Sequence, residues 1–371
     1  MMYKNNDMIS PGQFAHILIL TVVGTGILTL PRELADGVGP DGIFVLLLSA
    51  LFTLVAANII GYIIKRFPGK GYFEILTICF TKPIAYIITL LFVVYALLIN
   101  AFIIRVFGEV IKMFLLIKTP IELIIFSILI ITAFLARGGI EPLGRMAELL
   151  FPMIVIPALL LFLLAAADVN LTNLLPVFQA SPLEIIRAVP AGFLSFAGFE
   201  FVLIFGKYLN KPEKATKAMS IGIGVVSLIY LIIYIVTLGV FGRYQMNHLI
   251  WPTLTVFKVI SFPGLFIDNI ESLVMVIWIF IVFMSIAPMH LSKTILLGDL
   301  LKLRERDFLA LPIVPILYLI ALIPDSLAET YEYMGPFSNY AITFFSIVIP
   351  VIILILSVFR KNKGRESGSN A

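Results

Sequence analysis

Apolar residues come in runs of about twenty, separated by short polar stretches, and this alternation sets the reading of the whole chain. A membrane-spanning helix needs about 20 predominantly apolar residues. Ten runs reach or approach that length: 12–34, 42–64, 83–107, 121–135, 149–167, 185–205, 219–240, 266–289, 308–323 and 340–359. The fourth and ninth are short. Prolines within the fifth (Pro152, Pro157) and ninth (Pro312, Pro315) predict kinks. The expected architecture is an all-α polytopic membrane protein with ten transmembrane helices. It forms one domain over residues 1–361, followed by a polar, disordered cytoplasmic tail at 362–371.

One run departs from the pattern. Gly24-Thr25-Gly26 lies in the middle of the first span, and two glycines there cost a helix roughly 1 kcal/mol each relative to alanine. Backbone released from a helix in lipid finds no water to bond. The stretch therefore reads as the hinge of a discontinuous helix. Five spans later, Ser195-Phe196-Ala197-Gly198-Phe199-Glu200 again puts small residues beside a polar one near mid-span. Interrupted helices at matching places in two halves mark inverted-repeat transporter folds. Spans one to five (about 10–168) would map onto spans six to ten (about 183–360), a 5+5 inverted arrangement with helices 1 and 6 discontinuous. The plainer alternative is that small residues simply let neighbouring helices pack closely.

Such a pair has a definite chemistry. The half-helix beginning at Gly26 offers N–H groups and a positive dipole end to an anion such as a carboxylate. Carbonyls closing the preceding half accept from an ammonium or a cation.

Composition narrows the class. Hydrophobic residues make up 61% of the chain and charged residues 13%, against about 45–50% apolar for soluble domains. The charge pattern gives the orientation. With the N-terminus in the cytoplasm, nineteen of the 26 Lys and Arg residues fall on the inner side, Lys293 among them, and seven on the outer side. Both termini are thus expected in the cytoplasm. The single cysteine, Cys79, excludes an internal disulfide. The largest outer loop carries Trp251-Pro252-Thr253 and predicts a short helix on the outer face, with Trp251 at headgroup depth.

Polar residues within spans are the remaining candidates. Glu200 follows the second break, where a carboxylate in lipid costs at least about 2.5–3.5 kcal/mol unless paired, wet or protonated. It reads equally as a ligand contact or as a cap holding the break open. Tyr95 and Ser285 are pocket walls or packed core. Asn58 and Asn100 are expected in interhelical hydrogen bonds, and Arg105 and Glu109 in a local i,i+4 pair. The three histidines stand apart, no metal site, catalytic triad or phosphate-binding GxxxxGK[ST] loop is recognised, and no enzyme, cofactor or nucleic-acid activity is expected.

The motifs resemble the B subunits of endospore germinant receptors, spore-germination permease-like proteins of the amino acid–polyamine–organocation superfamily. The residues that carry the resemblance are Gln13 with Gly24-Thr25-Gly26-Ile27-Leu28-Thr29-Leu30-Pro31, Lys118-Thr119-Pro120-Ile121, Gly138-Gly139-Ile140, Ser195–Glu200 and Leu249-Ile250-Trp251-Pro252-Thr253. Gly264-Leu265-Phe266-Ile267, Glu271-Ser272 and Trp278-Ile279 complete the set. The Gly-x-Gly element is general to the superfamily, and the Trp-Pro-Thr loop is more specific. The chain departs at Asp268-Asn269, where such proteins often show an acidic–Arg pair.

The resemblance implies a LeuT-like fold and a sensor in the inner membrane of a dormant spore, or a cell membrane. Its partners would be membrane lipid, a receptor A subunit and a lipoprotein C subunit. It implies a small-molecule germinant, such as an amino acid, bound at the broken helices. The expected ligand-binding residues are Gly24, Thr25, Gly26, Ser195, Phe196, Ala197, Gly198 and Glu200, with Tyr95 and Ser285 as walls. The alternative is a proton-coupled amino acid secondary transporter on the same scaffold.

Overall fold

A computed structural model describes residues 7–259 and 270–366. They are helical almost throughout, apart from a parallel bridge that joins Ile9 to Leu209. The first predicted span is two helices, α1 (Pro11–Val22) and α2 (Gly26–Val38). Ser10 caps α1 with its hydroxyl on the Gln13 N–H, while the Gln13 side chain accepts the Ser10 N–H, a reciprocal capping box that satisfies two orphan donors. Gly39, at φ 57°, separates α2 from α3 (Gly42–Arg66). There follow α4 (Tyr72–Cys79), α5 (Lys82–Phe114), α6 (Ile121–Arg137) and α7 (Ile140–Ala165).

The second half opens with α8 (Pro182–Leu194), capped by Ser181 and Glu184 in a second capping box. A bend of 52° then leads to Phe199–Tyr208, of which Val202–Phe205 is α9. α10 (Ala215–His248), α11 (Pro252–Val259), α12 (Ile270–Leu300) and α13 (Ile313–Ala321) come next. The last run is α14 (Leu327–Thr343), a π-helical turn at Phe344–Val348 and α15 (Ile349–Glu366).

By length and apolarity alone, six helices among the described residues are candidate spans, or seven if the bent pair counts as one. The protein is an all-helical polytopic membrane protein. Its bundle is knitted at polar points, because lipid supplies no hydrophobic force between helices and packing with hydrogen bonding must hold them. Ser220 of α10 donates to Asn58 of α3 at 2.9 Å, and Asn100 of α5 donates to the Ile286 carbonyl of α12 at 3.3 Å. Arg105 pairs with Glu109 at 2.8 Å along α5.

Several expectations change. Trp251 is buried within the bundle, with its indole N–H 3.2 Å from the Tyr331 hydroxyl. The helix after it, α11, packs inward through Thr253, Leu254, Val256 and Phe257. Lys293 lies inside α12, fully buried, and not in a polar loop. α13 begins after Pro312, so that proline starts the helix instead of kinking it, because a proline at a helix start loses no hydrogen bond. α7 starts nine residues earlier than the fifth apolar run. α15 continues to Glu366, through the first half of the expected disordered tail. The motif 264–267, the Asp268-Asn269 departure, Lys4 and residues 367–371 lie outside the described residues.

Candidate functional site

The two interrupted helices meet. Gly24 sits so close to α12 that a Cβ there would lie 2.4 Å from the Ser285 hydroxyl. A Cβ on Gly26 would lie 2.8 Å from the Ser195 carbonyl of the other break. Only glycine permits these contacts, and that explains the Gly-x-Gly spacing as close backbone approach. Across the same contact, a Cβ on Gly198 would lie 3.3 Å from the Thr21 carbonyl oxygen.

The carbonyls freed by the breaks are claimed by hydroxyls from neighbouring helices. Ser285 donates 2.8 Å to Leu20, with the Ile281 carbonyl at 3.2 Å as its alternative acceptor. The Tyr230 hydroxyl of α10 lies 3.1 Å from the Val22 carbonyl and 2.8 Å from that of Ser195. One phenol thus stands between the last turns of both first half-helices. The Ile27 carbonyl in α2 is freed instead by Pro31, which has no N–H to offer it four residues on, and Thr253 donates 2.6 Å to it. Buried carbonyls without such partners would each carry a desolvation penalty of about 1–3 kcal/mol.

The second break also caps itself. Gly198 adopts φ 114°, a backbone that L side chains rarely adopt. Its N–H donates 2.9 Å to one carboxylate oxygen of Glu200, and the Tyr95 hydroxyl donates 2.5 Å to the other. Glu200 is 1% exposed and Tyr95 2%. Both carboxylate oxygens accept, and Glu200 links the break to α5. Tyr95 is stacked between Phe201, at 5.7 Å, and Phe345, at 5.0 Å.

Beside this junction lies a cavity of about 1180 Å³ between α5, α8 and α14. Tyr95, Leu194, Phe337, Phe344 and Phe345 are among its walls. The π-helical turn Phe344–Val348 forms part of this wall, and such turns recur at functional sites.

The expected site residues therefore divide. Gly24, Gly26, Ser195, Phe196, Gly198, Glu200 and Ser285 form the packed junction of the two breaks, Thr25 and Ala197 are half-buried within the breaks, and Tyr95 joins the junction to the cavity. Phe196 is fully buried, its ring 5.0 Å from that of Tyr230. The cap reading of Glu200 has its geometry.

Sequence reasoning missed Tyr230, Thr21, Phe345 and the role of Thr253. Tyr230 and Tyr234 stand i,i+4 on one apolar helix, and each hydroxyl reaches a backbone carbonyl of the first broken region, Val22 and Gly39 respectively. That spacing was the available signal.

Comparison with solved structures gives the fold. MhsT in complex with L-phenylalanine superposes with a TM-score of 0.67 at 14% identity, over 93% of this chain and 97% of that one. Mhp1, a nucleobase-cation-symport-1 family transporter in a closed conformation with bromovinylhydantoin bound, gives 0.61 at 13% identity, over 92% and 78%. Curated relatives span nearly the whole length. The spore germination protein YndE of Bacillus subtilis (strain 168) is 28% identical over 361 residues, 97% of this chain and 99% of the relative. Spore germination protein B2 of the same organism is 25% identical over 366 residues, 98% and 99%. Spore germination protein GerLB of Bacillus cereus is 26% identical over 354 residues, 94% of each. A family model described as "Spore germination protein" matches residues 8–330. This broken-helix membrane protein belongs to the spore germination protein family.

Proposed function

We propose that the chain is the nutrient-sensing subunit of a spore germination receptor and binds a small polar germinant, an amino acid, where the broken helices meet Tyr95 and the adjoining cavity. The observation that carries this reading is the junction itself. Two interrupted helices pack backbone to backbone, and a buried carboxylate, Glu200, is held between a break and the Tyr95 hydroxyl. Discontinuous helices near mid-membrane supply ligand groups without charged loops. The carboxylate and the carbonyls of Val22 and Ser195 suit an ammonium, and the aromatic cavity suits an apolar side chain. Rotation of Tyr95 off Glu200 would expose both to the ligand.

In the full reading there are ten spans. They are α1 with α2, α3, α5, α6, α7, α8 with α9, α10, α12, α13, and α14 with α15. The two halves, about 10–168 and 183–360, form the 5+5 inverted repeat, and both termini face the cytoplasm. The membrane is the spore inner membrane, and an A subunit and a lipoprotein C subunit are the partners.

Equilibrium binding of radiolabelled L-amino acids to the purified chain tests the site. Glu200→Gln is expected to weaken binding at least about ten-fold at unchanged protein level, the scale of one charge-assisted hydrogen bond. An unchanged response would remove Glu200 from the site. The second reading is a proton-coupled amino acid secondary transporter, and the fold shared with the transporter Mhp1 favours it. Sustained, gradient-driven accumulation of the label in proteoliposomes would select it over the sensor.

A further inference from the structure

A second cavity, of about 500 Å³, lies between the end of α3, α4 and α15, and no residue of either helix break lines it among the described residues. Tyr62, Lys65, Arg66, Ile78, Cys79 and Ser357 are among its lining residues, and among the described residues none that line it is acidic. The two cations differ. Arg66 donates to the Ser357 carbonyl and so ties α3 to α15. Lys65 makes no ion pair among the described residues. Its neighbours on the same end of the bundle are matched, since Lys70 and Lys207 both reach Glu74.

The surroundings of the cavity are apolar and open. Tyr62 of α3 is 42% exposed and Ile78 of α4 39%, and Val55 of α3 and Ile355 of α15 are exposed as well. Exposed apolar side chains on α3, α4 and α15 thus flank a concave mouth that holds two cations at the last turn of α3. A cation pair at the last turn of a helix is in part explained by the helix dipole. The dipole does not account for a 500 Å³ hollow around the pair or for the lack of an acid among the described residues that line it.

We propose that this cavity is a binding site for the phosphodiester headgroup of an anionic phospholipid, with the acyl chains lying along the exposed apolar side chains of α3 and α15. Lys65 meets the phosphate as a point charge, and the Tyr62 hydroxyl can donate to it. Arg66 is already engaged with Ser357, so it fixes the shape of the mouth and adds its charge. Basic hollows between helices at the cytoplasmic membrane surface are suited to this chemistry. The proposal is independent of what the broken helices bind.

The test uses the purified full-length chain in mixed micelles of dioleoyl phosphatidylglycerol or dioleoyl phosphatidylcholine. Bound phospholipid after gel filtration and the shift in thermal unfolding are measured. The wild type is expected to retain phosphatidylglycerol and to be stabilised by it in preference to phosphatidylcholine. Lys65→Gln is expected to weaken phosphatidylglycerol binding roughly five-fold, and Lys65→Gln with Arg66→Gln roughly thirty-fold, the scale of single cations near an anionic surface. Lys65→Arg should restore it.

Lys211→Gln, in the exposed segment before α10, serves as the control and should change little. An equal loss in Lys211→Gln would overturn the site in favour of general surface charge. Equal protection by inorganic phosphate in plain detergent would overturn the lipid assignment. If the double variant fails to fold, Lys65→Gln and Lys65→Arg alone decide, because Lys65 carries no structural hydrogen bond in the described residues.

Discussion

The two helix breaks look alike in sequence and are held open by different means. The first, between α1 and α2, has ordinary backbone angles at its boundary residues: Val23 and Thr25 both lie in the right-handed region, and Thr25 makes no side-chain cap. Its carbonyls at Leu20 and Val22 depend on hydroxyls from α12 and α10. The second break, between α8 and α9, contains Gly198 in a conformation that favours glycine and is capped from within by Glu200. One break is imposed by its neighbours. The other is written into its own turn. A change in the packing of α10 or α12 would therefore be felt first at the first break, while the second can act as the fixed side of the junction.

Substitutions can break that comparison. The largest effect is expected at Gly198→Ala. Strain at this φ of about 1–3 kcal/mol, with the Thr21 carbonyl 3.3 Å from the new Cβ, should lower the yield of monodisperse protein and the unfolding midpoint. Shrinking Thr21 should not rescue it, since the strain is in the backbone. Gly24→Ala comes next. It meets the Ser285 side chain at 2.4 Å, and overpacking of this kind costs about 1–3 kcal/mol. Here the obstacle is a side chain, so Ser285→Gly in the same protein should recover the part of the loss that comes from the clash, while the cost of the lost Ser285–Leu20 hydrogen bond remains. Equal rescue at both glycines would show that the breaks are not different in kind. Tyr230→Phe should give the smallest effect, about 1–2 kcal/mol from leaving buried carbonyls short of a donor. It should also raise hydrogen exchange at the ends of both first half-helices, near Val22 and near Ser195, which mass spectrometry reads directly.

The pattern of apolar runs located the long helices because each must satisfy its own backbone in lipid, and that requirement is local. It misjudged Pro312 and the start of α7, where helix boundaries depend on capping and on which turns face neighbours. Both breaks were legible as a pair: small residues in one span also serve close packing, but two such stretches at matching places in the two halves point to interruption. The acid at Glu200 was legible as an anomaly, and its pairing with Tyr95 across 105 positions was not. Nothing local in the sequence distinguishes Tyr95 from the other tyrosines of apolar spans. Trp251 shows the same limit: an aromatic beside a loop has the composition of an interface residue, and its burial beneath Tyr331 depends on where α14 lies.

By itself, the sequence determined that this is a polytopic helical membrane protein, that two of its helices are interrupted, and that an acid follows the second interruption. Those features are set by hydrophobicity and by backbone hydrogen-bonding demands over a few residues. Tertiary structure alone decided that the two interruptions touch, that Tyr230 stands between their carbonyls, and that Glu200 turns toward Tyr95. These are contacts between segments tens to hundreds of residues apart, and their partners are chosen by the packing of whole helices.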